Sequence, residues 1–252
     1  MTTVKAAMKT GTREEWLAAR QDLLHREKEL TRASDALARA RQELPWVQVT
    51  EPYVFDTTDG ERTFPELFGE HEQLLVYHLM MGPDWEAACR GCTYTGDTFD
   101  RAVEHLPHRD VGFVAISRAP VAAIEAYKAR MGWSFDWVSC GRTTFNQDLG
   151  AAAGAPYPDG VELHGLSAFA RDGDDVFHTY STFGRGIEEF HNGYQWLDLT
   201  ALGRQEAWEQ PAGRATPLGL QVGGPALRLP DEYEIPETAG NHSARGGDQC
   251  CE

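Results

Sequence analysis

The chain has 252 residues, enough for one ordinary hydrophobic core with an appendage or for two small domains. Its formal net charge of −16 argues against nucleic acid as a partner, because nucleic-acid binding requires a basic surface. The sequence has no apolar run of membrane-spanning length and no apolar signal segment near its start, so we expect no membrane partner and a cytoplasmic location. Five cysteines with only one well-formed pair do not suggest a secreted disulfide framework.

A long helix is predicted near the start of the chain. Thr12, with Glu15 three residues later, forms a capping-box pattern that begins the helix, and Pro45 ends it. The complementary heptad positions are polar, so the pattern is not a full coiled-coil seam. We expect residues 1–45 to form a helical arm whose apolar stripe supports a homodimer, with packing across its own domain as the alternative. The stripe recurs every seven residues and consists of Trp16, Leu23, Leu30, Leu37 and Leu44.

The middle of the chain predicts an α/β domain with a mixed sheet and helices on both faces. The run from Leu74 to Met81 has the length and composition of a buried parallel strand, and Asp172-Gly173 is the turn of a β-hairpin. Short joints between strands and helices imply a right-handed parallel crossover. The predicted elements are a strand at Val47–Phe55, a strand at Leu74–Met81, a helix to about Leu106, a strand at Asp110–Ser117, a helix at Pro120–Met131, hairpin strands at Leu166–Arg171 and Val176–Ser181, and a short helix at Gly186–Phe190.

The composition changes after the predicted core. We assign residues 46–205 to this domain and residues 206–252 to a flexible or extended acidic tail, because glycine, proline and charged residues dominate its sequence. One segment of the tail, Pro217–Leu229, is expected to dock on the domain. Adjacent cysteines at its end, Cys250 and Cys251, could relay electrons to a dithiol in the core.

That dithiol is Cys89-Arg90-Gly91-Cys92, which follows the predicted buried strand. A Cys-x-x-Cys that opens a helix after such a strand is the thioredoxin-like redox arrangement. At the helix start the first thiol meets free N–H groups and the positive end of the helix dipole, both of which favour thiolate. Zinc sites share this spacing but need a second ligand pair, and the sequence offers no second Cys-x-x-Cys or His-x-x-x-His. Two merely structural cysteines are the third interpretation.

Several short segments of the sequence are similar to those of a known protein family. The chain resembles the bacterial DUF899 thioredoxin-like proteins over roughly residues 12–205. The resemblance implies a thioredoxin-like fold and a thiol–disulfide role, in a family named for its unknown function. The segments that carry it are Leu44–Val47, Tyr53–Asp56, Gly82–Trp85, Ser117–Pro120, Met131–Trp133, Phe177–Thr182 and Leu197–Thr200.

Two departures from better-known thioredoxin-like proteins stand out. Peroxiredoxins have a Pro-x-x-x-Thr-x-x-Cys pattern, whereas here Glu86 occupies the threonine position before Cys89. Thioredoxins also place a cis-proline before the hairpin, and the matching segment His164–Leu166 has none. We therefore expect no threonine hydroxyl to hold a peroxide, and a different substrate-docking edge.

Four further residues are candidates for substrate binding or support. Trp85 is placed to cover the disulfide, or is simply a core or rim residue, and the cation of Arg90 favours the Cys89 thiolate. Arg118 follows a parallel strand at the sheet edge where ligands bind, so it could hold an anionic substrate or partner, or merely cap a helix or form a surface pair. His164, just before the hairpin, could shuttle a proton.

Two other residues have structural interpretations. His78 lies inside the central strand and is predicted to be a hydrogen-bonded core histidine. Cys140 is predicted to be a buried hydrophobe, although near Cys89 it could act as a third thiol or help to form a metal site.

The function that this pattern predicts is thiol–disulfide exchange, with Cys89 as the nucleophile and Cys92 as the resolving thiol. Such exchange needs no bound cofactor, and its partner is a disulfide or thiol of a protein or small molecule. A non-catalytic thioredoxin-like binding module and a metal-binding protein that uses the same cysteines are the alternatives.

Overall fold

The computed structural model describes residues 9–152, 162–201, 203–204 and 229–232. The first element, α1 (Arg13–Gln42), begins with the predicted capping box, in which the Thr12 hydroxyl accepts the Glu15 N–H and the Glu15 carboxylate accepts the Thr12 N–H. None of its residues is buried. Its side chains are therefore largely exposed to solvent within one copy of the chain.

Eight strands of the described part of the chain form one mixed sheet. The strands are β1 (Val47–Val49), β2 (Val54–Thr57), β3 (Gly60–Thr63), β4 (Gln73–His78), β5 (Val111–Ser117), β6 (Trp137–Ser139), β7 (Gly165–Asp172) and β8 (Asp175–Phe183). Their order across the sheet is β1-β8-β7-β4-β5-β6-β2-β3. β4 lies at the centre, parallel to β5 and antiparallel to β7, and β7 and β8 form the predicted hairpin.

Helices cover both faces of the sheet, which confirms the predicted fold class. The helices are α2 (Arg90–Phe99), α3 (Val121–Met131), α4 (Phe145–Asp148) and α5 (Asn192–Asp198), with 3-10 turns at Pro65–Phe68, Ala102–His105, Pro107–Arg109, Gly184–Phe190 and Pro230–Glu232. α2 and α3 pack on one face with residues such as Tyr77 and Ala115. On the other face α4 and the turn at Pro65–Phe68 enclose a second, aromatic core.

The prediction of one strand over Val47–Phe55 is wrong, because Pro52 interrupts it and the two halves join opposite ends of the sheet. The chain from Val49 at the end of β1 to Val54 at the start of β2 can span about 17 Å. In a flat sheet, β1 and β2 would lie six strand spacings apart, or about 29 Å. The sheet is therefore strongly curled, with the aromatic core inside the curl.

Other parts of the fold also differ from the sequence predictions. α2 ends at Phe99, and the chain reaches Leu106 through a 3-10 turn instead of a continuous helix. The short strands β3 and β6 and the helices α4 and α5 were not predicted. None of the described helices is long and apolar enough to cross a membrane.

Candidate active site

The loop after the central strand carries Cys89 back to the end of that strand. The Cys89 N–H donates to the Met80 carbonyl at 2.9 Å, which closes the loop. Cys89 is the N-cap residue of α2, with an extended backbone, and the helix starts at Arg90. The side chain of Cys89 therefore lies where the N–H groups of the first helical turn have no intrahelical partner.

The two thiols of this motif have very different surroundings. Cys89 is half-buried, whereas Cys92 is only 1% exposed, and both are unbridged. A hydrogen bond with the Cys92 side chain and the backbone N–H groups of Cys92 and Gly91 lower the pKa of Cys89 to about 6, against the opposing effect of burial. Burial raises the pKa of Cys92 well above its ordinary value. The thiol pKa values therefore have the order predicted from the helix start.

Alkylation of Cys89 should accordingly depend on pH with a midpoint near 6. Only the thiolate reacts, and a lowered pKa means that thiolate persists as the pH falls to about 6 and is lost below it. The measurement is the iodoacetamide rate of the Cys89 peptide by mass spectrometry between pH 4 and 10. The same peptide in the urea-unfolded chain is the control, with an expected midpoint of about 8.5. A folded-state midpoint at that value would show that the helix start does not activate Cys89.

Side-chain contacts hold α2 against α3 and the sheet. The Thr93 hydroxyl bonds the Tyr127 hydroxyl at 2.7 Å. Trp133 packs directly on Gly96, where an added Cβ would lie 2.8 Å from the indole ring, so no larger residue fits there without displacement. The Trp133 indole N–H also donates to Asp97 at 2.8 Å. Together with the contact of the Tyr77 hydroxyl of β4 with the Cys92 carbonyl, these contacts hold α2 against α3 and the sheet.

A short turn at residues 229–232, in the tail, contacts both α2 and α3. Leu229 is buried in the same core cluster as Cys92 and is 2% exposed. Glu232 forms an ion pair with Arg90, and Asp231 accepts two hydrogen bonds from Arg130 at 2.7 and 3.1 Å. The rest of the predicted docked segment Pro217–Leu229 lies outside the described residues, as do Cys250 and Cys251.

Trp85 and Arg90 lie close to the dithiol in the sequence, and their surroundings in the structure differ. Trp85 is 40% exposed and folds back on Gly82, where an added Cβ would lie 2.7 Å from the indole nitrogen. Arg90 is engaged by the tail carboxylate of Glu232. The groups that lower the Cys89 pKa most are the Cys92 thiol and nearby backbone N–H groups, so Arg90 is not needed to explain the activation of Cys89.

Arg118 and His164 each have partners within the chain. Arg118 forms an ion pair with Glu162, whose side chain is only 2% exposed. This intramolecular pair agrees better with a structural role than with capture of an anionic substrate. His164 lies at the start of β7, and its pKa is lowered by burial, against the effects of the Gly184 backbone and Glu188.

Sequence reasoning missed three residues beside the dithiol. The Tyr77 hydroxyl contacts the Cys92 carbonyl at 3.4 Å and also faces the Cys92 thiol. One turn along α2, Thr95 bonds His191 Nε2 at 2.6 Å, and His191 is electrostatically coupled to His164. Alternation along β4 could have placed Tyr77 on the face that packs against α2. The position of His191 carries no sequence signal, because it lies about one hundred residues from the motif.

His78 has the predicted role of a hydrogen-bonded core residue. Its ring nitrogens bond Asn146 at 3.0 Å and Ser167 at 2.8 Å, and the Ser167 hydroxyl continues to Ser181 at 2.6 Å. Burial lowers the His78 pKa to about 4, so the ring is neutral at pH 7. This polar chain ties α4 to the hairpin strands β7 and β8.

Cys140 is a buried hydrophobe, as predicted. It is 0% exposed in the aromatic core, whereas Cys92 belongs to the core on the opposite face, and burial raises the Cys140 pKa to about 12. The structure does not place it as a third thiol beside Cys89. Within the described ranges, no three or more histidine, cysteine, aspartate or glutamate side chains lie close enough together to hold a metal ion.

A central strand followed by a dithiol at a helix start, in a sheet ordered β8-β7-β4-β5, defines a thioredoxin-like protein. The model of the family DUF899, described as bacterial protein of unknown function, matches residues 5–233. The chain belongs to this family, which confirms the resemblance seen in its sequence.

Comparison with solved structures gives distant similarities. A bacterioferritin comigratory protein of Xanthomonas campestris is 15% identical, with a TM-score of 0.42 over 60% of this chain and 91% of that one. Peroxiredoxin Q of Xanthomonas campestris is 16% identical, with a TM-score of 0.42 over 63% and 96%. Peroxidoxin BcpB of Mycobacterium tuberculosis is 14% identical, with a TM-score of 0.41 over 59% and 94%. No curated protein matches the chain.

Proposed function

We propose that this protein is a thiol–disulfide oxidoreductase that uses the Cys89–Cys92 dithiol. The Cys89 thiolate attacks one sulfur of a substrate disulfide, forms a mixed disulfide and releases the other sulfur as a thiolate. Cys92 then loses its proton and attacks the Cys89 sulfur. This step forms the Cys89–Cys92 disulfide and releases the second substrate thiolate. Two electrons pass to the substrate, and an external dithiol or two external thiols return them by being oxidised to a disulfide.

The difference between the two thiols is the observation that carries this proposal. Exchange requires an accessible thiolate for attack and a second thiol that is protected until the mixed disulfide forms. Cys89 is half-buried with a pKa of about 6, and Cys92 is buried with a raised pKa. Two cysteines that serve only packing would both be expected to have raised pKa values, as Cys140 has.

The substrate class that we propose is a protein or small-molecule disulfide. Trp85, four residues before Cys89 in the sequence, is 40% exposed, and Arg90, next to Cys89, forms an ion pair with Glu232 of the tail turn. We propose no bound cofactor, because the dithiol itself carries both electrons.

A redox titration tests the proposal. The chain is equilibrated in glutathione buffers of known potential, quenched with acid, alkylated and mapped by mass spectrometry. We expect Cys89 and Cys92 to lose their free thiols together in one two-electron transition. Cys140 is the internal control, because its buried thiol should stay reduced throughout. If the Cys89–Cys92 disulfide does not form at any potential, the protein is a binding module and not an oxidoreductase.

We also propose that the protein is a homodimer that pairs through α1. The stripe residues Leu23, Leu30 and Leu37 are 47%, 72% and 48% exposed. No residue of the helix is buried within its own chain. A regular apolar stripe of this kind is stabilised when a second copy removes it from water.

Leu30→Glu is expected to convert the dimer into a monomer. Leu30 is the most exposed residue of the stripe, so the substitution places a charge in the interface and removes no contact within one copy. Sedimentation velocity at micromolar concentration measures the effect. Gln21→Glu adds the same charge on the opposite side of the helix and is expected to leave the dimer intact. A wild-type chain that sediments as a monomer would refute the dimer.

A further inference from the structure

The two ends of α1 differ in net charge. The first turn holds Arg13, Glu14 and Glu15 and is net negative, whereas the last turn holds Arg39 and Arg41 and is net positive. The helix has 30 residues and is therefore about 45 Å long. The two charged ends are thus too far apart to interact with each other along one helix.

An apolar groove lies at the base of this helix. It has a volume of about 570 Å³ and lies between the end of α1, strands β4 and β7, and Tyr180 of β8. The Arg41 guanidinium lies over the Tyr180 ring at 5.2 Å and 3.8 Å from Glu189, so the groove and the end of α1 form one continuous surface. Trp46 lines the same groove and is 58% exposed.

A second apolar hollow extends this surface. Its volume is about 330 Å³, and it is lined by side chains such as Phe99, Val103 and Phe113. It shares several lining residues with the groove, which are Leu75, Leu106, Ala168 and Tyr180. An apolar surface of this extent beside a helix with an exposed apolar stripe indicates an interface.

The charges decide how two copies of α1 can pair. In a parallel pair, the acidic first turns would meet each other and the basic last turns would meet each other, and both contacts are repulsive. In an antiparallel pair, each acidic first turn meets a basic last turn, and the heptad stripes still face each other. A two-fold axis through the middle of the pair generates both contacts at once.

The antiparallel arrangement also supplies a segment of the partner that could fill the groove. It places the first turns of one α1 beside the end of the partner's α1, where the groove opens. Trp16 lies in these first turns and is 52% exposed, stacked under the Arg13 guanidinium at 4.5 Å. A tryptophan is the kind of side chain that anchors in an apolar pocket at a protein interface.

We infer that two copies of this chain pair their α1 helices antiparallel, so that the Trp16 end of each helix enters the apolar groove at the base of the partner's α1. This inference rests on the proposed homodimer and specifies its geometry. The interface belongs to two identical chains and needs no third component. The dithiol chemistry of Cys89 and Cys92 is independent of it.

Photo-crosslinking of the full-length protein tests the arrangement. Leu37 is replaced by benzoylphenylalanine, the protein is irradiated at micromolar concentration, and crosslinked peptides are mapped by mass spectrometry. We expect a covalent dimer in which position 37 joins the segment 13–24 of the partner. The same photoreactive residue at position 21, on the opposite side of the helix, is the matched control and should give no crosslink to α1.

The outcomes separate the geometry from the dimer itself. A crosslink from position 37 to the segment 33–44 of the partner would show a parallel pair and overturn the antiparallel arrangement, while the homodimer would stand. If the protein sediments as a dimer but crosslinks only outside α1, the dimer does not pair through this helix and the proposed arrangement is wrong. A monomer in sedimentation without any crosslink would overturn the homodimer and the arrangement together. None of these results would change the redox titration.

Discussion

Replacing Cys89 by serine is expected to abolish thiol–disulfide exchange, whereas Cys92→Ser is expected to trap the substrate as a mixed disulfide on Cys89. The reason is the unequal position of the two thiols, since only Cys89 combines partial exposure with a low pKa. Without the Cys92 thiol, nothing attacks the mixed disulfide from within the motif. The measurement is incubation of each variant with oxidised glutathione, followed by peptide mapping for a glutathione adduct at residue 89.

Cys140→Ser is the control for this experiment. Cys140 is fully buried in the other core, so this variant should form the Cys89–Cys92 disulfide as the wild type does. If Cys92→Ser carries no adduct at Cys89 while the wild type forms the disulfide, the order of attack is reversed. If neither the wild type nor any variant reacts at residue 89, the cysteines are structural.

Phe145→Ala is expected to lower the free energy of unfolding by about 3–5 kcal/mol, the usual loss for a fully buried phenylalanine. Phe145 is 0% exposed at the centre of the aromatic core. Its ring contacts those of Tyr53, Phe55 and Phe64 edge to face, with centroids 5.0–5.1 Å apart. Urea unfolding followed by circular dichroism measures the loss as a lower midpoint at unchanged slope.

Phe190→Ala provides a comparison with the same residue type at the surface. Phe190 is 40% exposed, so its removal leaves no closed cavity, and we expect less than half the loss seen for Phe145→Ala. Equal losses for the two variants would mean that the aromatic core does not close around α4. The comparison also tests the curl of the sheet, because that curl brings Tyr53 and Phe55 to Phe145.

The central strands and the hairpin were predictable because their signals are local. The apolar run at Leu74–Met81 needs no partner to identify it as a buried strand, and Asp172-Gly173 marks the hairpin turn by its own backbone preference. The order of the thiol pKa values was predictable in part for the same reason. The Cys-x-x-Cys spacing places Cys89 at the helix start and Cys92 one turn later, whereas the burial that raises the Cys92 pKa depends on the folded core.

The remaining features depend on contacts between distant residues. The strand β6 is only three residues long and exists because it pairs with β5 and β2. Glu232 reaches Arg90 across 142 positions, and Thr95 reaches His191 across 96. Neither pair has a recognisable spacing, so only the folded chain brings them together.

The tail turn at Pro230–Glu232 lies against the helix that carries the dithiol, so its binding and the redox state of the dithiol act on the same element. The turn binds beside the dithiol through the buried Leu229 and the Glu232–Arg90 ion pair. If the oxidised and reduced helices hold it with different affinity, reciprocity requires that the turn shift the reduction potential by the same free energy. For this two-electron couple, about 30 mV corresponds to about 1.4 kcal/mol. In that case, a partner that draws the turn away from α2 would change the reduction potential of the Cys89–Cys92 disulfide.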